Sequence, residues 1–155
     1  MSVYYLDTSG IVKRYVFESG SQWIIQLFDA VPSNVLYTSR ITHVEVVSAI
    51  SRRRRVRTIP PGVFEGGIVR FQDDLRNRFS VIAIEEAVVK SAALLAKSHA
   101  LRAYDAVQLA SALSVQRERR KYGLPSITFV SADGDLNKVA ILEGLTVENP
   151  NDYEE

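Results

Sequence analysis

The chain has 155 residues, 46% hydrophobic and 24% charged, so it is long enough to form one domain with a sizeable core. It contains no cysteine and its formal net charge is +1, which excludes a disulfide framework and thiolate chemistry. No apolar run approaches the roughly 20 residues of a membrane helix, and the first residues lack the pattern of a secretory signal. We therefore expect one cytoplasmic domain over residues 1–155 that does not enter a membrane.

Apolar runs and helical patterns alternate along the chain. In chain order they predict a strand at Val3–Leu6, helices at Ile11–Phe17 and Ser21–Asp29, a strand at Val35–Thr38, helices at Ile41–Arg54 and (after Pro60-Pro61) Val63–Arg78, a strand at Val81–Ile84, helices at Glu85–Ser98 and Tyr104–Tyr122, a strand at Ile127–Val130, a helix at Leu136–Glu143 and a strand at Thr146–Val147. This alternation favours an α/β fold with helices on both faces of a central, mostly parallel sheet.

Two acids follow predicted strands. Asp7 comes directly after the first strand, and Asp133 follows Ile127–Val130 after two small residues. Ligands of such folds bind outside the carboxyl ends of the strands, so the two carboxylates converge if these strands are neighbours. Taken alone, Asp7 could cap the next helix and Asp133 could be an ordinary turn residue.

Two further acids interrupt apolar helix faces. Glu45 lies four residues after Ile41, and Asp105 lies four residues before Leu109. A carboxylate that faces a core is costly unless a cation or hydrogen bonds compensate it. Glu45 could reach the helix edge, and Asp105 lies near a helix start, where the macrodipole favours negative charge. One divalent cation would satisfy all four acids.

The available donors indicate a hard cation. With no cysteine and only two histidines, His43 and His99, which lack metal-ligand spacing, the ligands are carboxylate oxygens, as Mg²⁺ or Mn²⁺ prefer. Such an ion can activate water for attack on phosphorus and stabilise the departing oxygen. The chain has no Gly-rich phosphate loop, GxSxG elbow or HExxH helix.

The four acids lie in motifs that resemble, in order, those of the PIN-domain nucleases, in particular the VapC-type toxins of toxin–antitoxin pairs. The motifs are Leu6-Asp7-Thr8-Ser9 with Lys13, Thr42-x-x-Glu45 with Ala49, the run from Leu101 to Ala110 around Asp105, Ser131-Ala132-Asp133 followed by Leu136, and the closing Gly144–Val147 with Asn149-Pro150.

This resemblance implies a three-layer α/β/α PIN fold, Mg²⁺-dependent endonucleolytic cleavage of RNA with Mn²⁺ as a substitute, and neutralisation by a VapB-like antitoxin that occupies the site. It also implies a homodimer. Carried over, Asp7, Glu45, Asp105 and Asp133 become the catalytic acids, with Asp7 and Asp105 holding the metal directly and the other two directly or through water. Ser9 could bond to a metal-bound water or to the substrate phosphate.

The chain departs from the family pattern at two positions. Gln108 stands where many relatives carry histidine, which affects contacts around the site but removes no ligand. Asp135 could replace Asp133 as the fourth acid, although we expect it to be the N-cap of the following helix. An RNA-processing PIN nuclease without an antitoxin, or a catalytically silent binding module, remains an alternative function.

RNA that enters a pocket of four negative charges needs flanking cations to hold its backbone. The candidates are Lys13, Arg14, Arg40, Arg52 and Arg53, the last two within an arginine-rich run that extends to Arg57. The planar arginine fork suits phosphate recognition. We expect this run to line an RNA path or to meet acidic residues of the antitoxin.

Overall fold

The computed structural model describes residues 1–56 and 59–153. Within these ranges the elements, in chain order, are β1 (Val3–Leu6), α1 (Thr8–Tyr15), α2 (Ser21–Asp29), β2 (Val35–Ser39), α3 (Thr42–Arg55), α4 (Pro61–Asn77), β3 (Phe79–Ile82), α5 (Glu86–His99), α6 (Ala103–Lys121), β4 (Thr128–Val130), α7 (Gly134–Leu142), β5 (Thr146–Glu148) and a short 3-10 helix (Pro150–Asp152). Strands and helices alternate as predicted, which confirms the α/β class.

The five strands form one sheet in the order β3-β2-β1-β4-β5, and every pairing is parallel. The central strand β1 pairs with β2 on one side and with β4 on the other, with Leu6 opposite Val130. The first and fourth strands are thus neighbours, which was the condition for the carboxylates of Asp7 and Asp133 to converge. Asp7 and the loop after β4 lie side by side at the carboxyl edge of the sheet.

Helices cover both faces of this sheet. Successive residues of β1 point to opposite faces, so fully buried Tyr5 belongs to a core shared with α5, α6 and α7, whereas fully buried Leu6 belongs to a core shared with α1 to α4. This is the three-layer α/β/α architecture that the sequence predicted. In the described part of the chain, no helix is both long and apolar enough to cross a membrane.

Most predicted bounds agree with the structure to within two residues. The exception is α1, which begins at Thr8 rather than Ile11 because the Asp7 side chain caps it. Strand β3 lies two residues earlier than predicted because its pairing with β2 sets Phe79 opposite Leu36. Arg57, the end of the arginine-rich run, lies outside the described residues.

Candidate active site

A cavity of about 490 Å³ opens at the carboxyl edge of the sheet, between α1, α3, the start of α6 and the loop after β4. It is lined by the four predicted acids, Asp7, Glu45, Asp105 and Asp133. Asp7 and Asp133, which lie near opposite ends of the sequence, therefore meet at one place. The fold thus brings the four candidate catalytic residues together.

Asp7 is the most firmly held of these acids. One of its carboxylate oxygens accepts hydrogen bonds from the Ser9 hydroxyl at 2.7 Å and the Gly10 backbone N–H at 3.0 Å, and the other accepts from the Ser131 hydroxyl at 2.7 Å. The residue is only 5% exposed. Burial raises its pKa to about 6, although these three hydrogen bonds oppose the rise, and the charge of Asp105 adds to it.

The same two serines fasten the loop after β4 to the start of α1. Ser9 Oγ accepts from the Ala132 backbone N–H at 2.9 Å, and Ser131 Oγ accepts from the Asp133 N–H at 3.1 Å. Asn137 donates to the Ser131 carbonyl at 2.8 Å. The hydroxyl of Ser9, a candidate substrate contact, is therefore engaged in holding Asp7 and this loop.

Glu45 is held by Gln108. The Gln108 amide nitrogen donates to Glu45 Oε1 at 2.8 Å and to the Thr42 hydroxyl at 2.9 Å, while its oxygen accepts from the Tyr5 hydroxyl at 2.8 Å. Burial raises the pKa of Glu45, the Gln108 hydrogen bond opposes this, and the charge of Asp105 adds to it. The sequence marked Gln108 as a departure from the family pattern, and the structure shows that it orients a site carboxylate.

Asp105, on the first turn of α6, is half-buried, and Arg102 lies beside it. Arg102 Nε lies 3.4 Å from Asp105 Oδ2, and Nη2 lies 3.8 Å from Asp133 Oδ2. Burial raises the pKa of Asp105, the Arg102 guanidinium lowers it, and the Asp133 charge raises it. Sequence reasoning missed Arg102, although its spacing three residues before Asp105 was the available signal.

Asp133, and not Asp135, is the acid that lines the cavity. Asp133 is the N-cap of α7, because its Oδ1 accepts from the backbone N–H groups of Asp135 at 3.0 Å and Leu136 at 3.2 Å. The expectation that Asp135 caps this helix is wrong, since Asp135 is an exposed residue of its first turn.

Arg52 and Arg53 line the cavity, as does Lys13, but Lys13 is only 5% exposed. The Lys13 ammonium donates to the Ser19 carbonyl at 2.8 Å and lies 3.3 Å from Glu18 Oε1. The other carboxylate oxygen of Glu18 accepts from Arg53 Nη2 at 2.9 Å. Glu18, which sequence reasoning did not single out, therefore joins two of the predicted substrate-binding cations.

Two other candidate cations are not brought to the cavity. Arg14 Nε donates to Asp74 Oδ2 at 2.8 Å, and its guanidinium stacks 4.1 Å from the centre of the Phe28 ring. Arg14 thus faces a separate groove formed with α4. Arg40 lies exposed in the turn between β2 and α3 and is not among the residues that line the cavity.

The acids do not form a ready-made metal cluster. Across residues 1–56 and 59–153, no three histidine, aspartate or glutamate side chains are arranged to hold one ion. They interact in pairs instead, since the Asp105 charge raises the pKa of both Asp7 and Glu45. Mg²⁺ is usually held by one or two carboxylates and completes its shell with water and phosphate oxygens, so this donor set fits a largely hydrated hard cation.

The chain is similar in sequence to proteins that are already known. The family model of the PIN domain matches residues 4–142. Two ribonucleases of Mycobacterium tuberculosis, VapC45 of strain CDC 1551 / Oshkosh and VapC49 of strain ATCC 25618 / H37Rv, are each 31% identical over 115 residues, which cover 74% of this chain and 78% of each relative.

Solved structures share the fold at low sequence identity. VapBC2 from Rickettsia felis, bound to a DNA fragment from its promoter, matches with a TM-score of 0.62 and 15% identity over 95% of this chain and 98% of the other. A toxin–antitoxin complex from Klebsiella pneumoniae matches with a TM-score of 0.57 and 18% identity over 98% and 99%. PAE2754 from Pyrobaculum aerophilum matches with a TM-score of 0.56 and 18% identity over 95% and 92%.

Proposed function

Since this chain belongs to the PIN domain family, we propose that it is a Mg²⁺-dependent endoribonuclease and the toxin of a VapBC-type pair. The observation that carries the proposal is the convergence of four acids, each at the start of a different helix, on one cavity at the sheet edge. Curated relatives that carry the name ribonuclease support the choice of RNA as substrate.

In this proposal Asp7 and Asp105 hold the cation directly, and Glu45 and Asp133 hold it directly or through water. When bound, the ion stabilises the charge that develops on the cleaved phosphate and activates water as the nucleophile. Mn²⁺ would substitute, because it accepts the same hard oxygen donors. The hydrogen bonds of Ser9 and Ser131 keep the Asp7 carboxylate in one orientation, and Gln108 does the same for Glu45.

The cations around the cavity hold the RNA backbone. Arg52 and Arg53 lie along its wall on α3 and place guanidinium groups where a phosphodiester chain would pass. Arg102 forms a loose ion pair with Asp105, and 84% of the Arg102 side chain is exposed. A bound divalent cation would compete with Arg102 for Asp105 and leave its guanidinium available to a substrate phosphate.

Cleavage of a circular single-stranded RNA tests this proposal, because only an endonuclease can open a circle. We expect the wild type with Mg²⁺ to linearise it, EDTA to stop the reaction, and Asp105→Asn to slow it by about 100-fold or more, as expected on loss of a charge-stabilising group. Asp135→Asn, an exposed acid outside the cavity, is the matched control and should cut normally. Cutting in EDTA, or equal cutting by Asp105→Asn, would contradict the proposal.

The partner in this proposal is a VapB-like antitoxin that covers the cavity. The fold neighbours that are toxin–antitoxin complexes support it. Expression of the wild type should stop bacterial growth, Asp105→Asn should not, and the product of an adjacent small gene should restore growth. Toxicity that no adjacent gene relieves would favour an RNA-processing PIN nuclease. We also propose a homodimer, for which light scattering should give the mass of two chains.

A further inference from the structure

A second, smaller cavity of about 180 Å³ adjoins the carboxylate cavity. The two share four lining residues, Thr8, Glu45, Arg52 and Tyr104. A ligand bound at the carboxylates therefore has a continuous path into the smaller cavity. Nothing in the proposed hydrolysis uses this space.

One wall of the smaller cavity is a single stripe of α3. Ile41, Val44, Ser48 and Arg52 follow each other at intervals of three or four residues and all line it. Side-chain polarity increases along the stripe, from apolar side chains near the start of the helix to a hydroxyl in the middle and a guanidinium at the far end. Val44 is 66% exposed, so this apolar surface faces open solvent.

Tyr104, on the first turn of α6, also lines the smaller cavity. The residue is 59% exposed, although it is large and largely apolar. It directly precedes Asp105, so its ring lies at the edge of the carboxylate cavity. An exposed aromatic ring beside a charged cavity supplies a flat face on which another ring can stack.

We propose that the smaller cavity binds one unpaired nucleobase of the RNA, stacked on the Tyr104 ring, next to the phosphate that is cut. This inference rests on the proposed function and adds a base-binding subsite to it. Proteins that read single-stranded RNA stack splayed-out bases on aromatic side chains and hydrogen-bond their edges. Val44 would contact the base, the Ser48 hydroxyl would meet its polar edge, and Arg52 would bind a backbone phosphate.

The spacing along α3 agrees with this assignment. Arg52 lies seven residues after Glu45, which at 1.5 Å per residue places it about 10 Å further along the helix axis. Because Glu45 and Tyr104 line both cavities, the base in the smaller cavity would belong to a nucleotide beside the cut, and not to a distant one. An unpaired base is required, because a base inside a duplex offers no free face.

Binding of a short single-stranded RNA that carries the mapped cleavage site tests the subsite. Fluorescence anisotropy is measured in an Asp7→Asn background, so that no cutting occurs. Tyr104→Ala should weaken binding by about 5- to 100-fold, the loss expected for one stacked base. Tyr104→Phe should stay within about twofold of the background protein, because the ring is kept. Tyr122→Ala, an equally exposed tyrosine (63%) just after the other end of α6, should have no effect.

A series of RNAs, each lacking one base, identifies the stacked nucleotide. One position should lose affinity in the Asp7→Asn protein and lose nothing further once Tyr104→Ala is added. Equal losses in both proteins, or unchanged binding by Tyr104→Ala, would overturn the subsite and leave Tyr104 to a protein partner. If either of these results is found but the wild type still cuts the RNA, the proposed nuclease function stands without the subsite. RNA that is neither bound nor cut would overturn both the subsite and the proposed function.

Discussion

Two aspartates of one cavity are held in opposite ways. Asp7 is 5% exposed and accepts three hydrogen bonds no longer than 3.0 Å from groups of α1 and the β4 loop. Asp105 is half-buried, and its carboxylate lies 3.4 Å from Nε of Arg102, whose side chain is 84% exposed. The contrast shows that one end of the site is fixed before any ligand arrives, while the other end can adjust.

The difference follows from where each acid lies in the fold. Asp7 is the junction of the central strand and α1, so neighbours in sequence and the adjacent strand both reach it. Asp105 projects from the first turn of a helix into the cavity, where it pairs with the exposed side chain of Arg102. Exposed ion pairs of this kind contribute little free energy, so Asp105 can exchange partners readily.

Lengthening each aspartate by one methylene should affect the two ends of the site to different degrees. Asp7→Glu should reduce the single-turnover rate of RNA cleavage by about 100-fold, because a carboxylate displaced by about 1 Å in a fixed setting loses that much. Asp105→Glu should lose about tenfold or less, because the adjustable end can accommodate one methylene. Equal losses in the two variants would show that both ends are equally rigid.

In the metal-free protein, the burial of Asp7 should make the stability of the fold depend on pH. The folded-state pKa of Asp7, about 6, lies above its ordinary 3.8, so the folded state binds the proton more tightly. Without metal, stability should therefore fall as pH rises from about 4 to about 7, by at most about 3 kcal/mol.

Asp7→Asn should remove the part of this decline that Asp7 causes, because asparagine caps a helix as well as aspartate and carries no charge. Urea unfolding in EDTA measures the effect, with the exposed Asp135→Asn as a control that should keep the wild-type slope. A lower stability of Asp7→Asn at pH 7 would mean that the ionised carboxylate stabilises the fold.

Glu45 resembles Asp7 in having a dedicated partner, which Gln108→Leu would remove. Gln108 is 2% exposed, and leucine would leave the Tyr5 hydroxyl and Thr42 with fewer partners. We expect a loss of about 1–3 kcal/mol in the free energy of unfolding. Gln26→Leu, on the exposed face of α2, should change it by no more than about 0.5 kcal/mol. Similar changes in the free energy of unfolding for the two variants would contradict the proposal that Gln108 holds Glu45 in position.

The smallest expected effect concerns the adjustable end. Arg102→Ala should tighten Mg²⁺ binding by up to about fivefold, because the cation no longer competes with an exposed guanidinium. The same variant should cut RNA more slowly at saturating Mg²⁺, since a phosphate contact is lost. Arg120→Ala, an exposed arginine at the far end of α6, should change neither quantity. Weaker Mg²⁺ binding by Arg102→Ala would contradict the competition.

The sequence was sufficient to predict most helices and strands, the parallel sheet and the four acids that line the cavity. The bounds of β1 and α2 agree with the prediction at both ends, because Asp7 and Gly20 interrupt clear apolar patterns. The acids stood out because each interrupts a local pattern, a strand end or an apolar helix face. Such signals lie within a few residues and can be read without the fold.

The roles of the cations could not be predicted in this way. Arg14 pairs with Asp74, 60 residues away, and Lys13 is buried against the Ser19 carbonyl, so neither identity nor spacing revealed their partners. The roles of Arg102 and Gln108 likewise depend on side chains that only the fold brings together. Side-chain pairs that only the fold brings together therefore could not be predicted from the sequence.

Calorimetric titration with Mg²⁺ shows whether these carboxylates form one divalent-cation site. The wild type should bind Mg²⁺, Asp7→Asn and Asp105→Asn should lose that binding, and Asp135→Asn should retain it. Undiminished Mg²⁺ binding by both Asp7→Asn and Asp105→Asn would show that the cation is held elsewhere. That result would contradict the proposed carboxylate site.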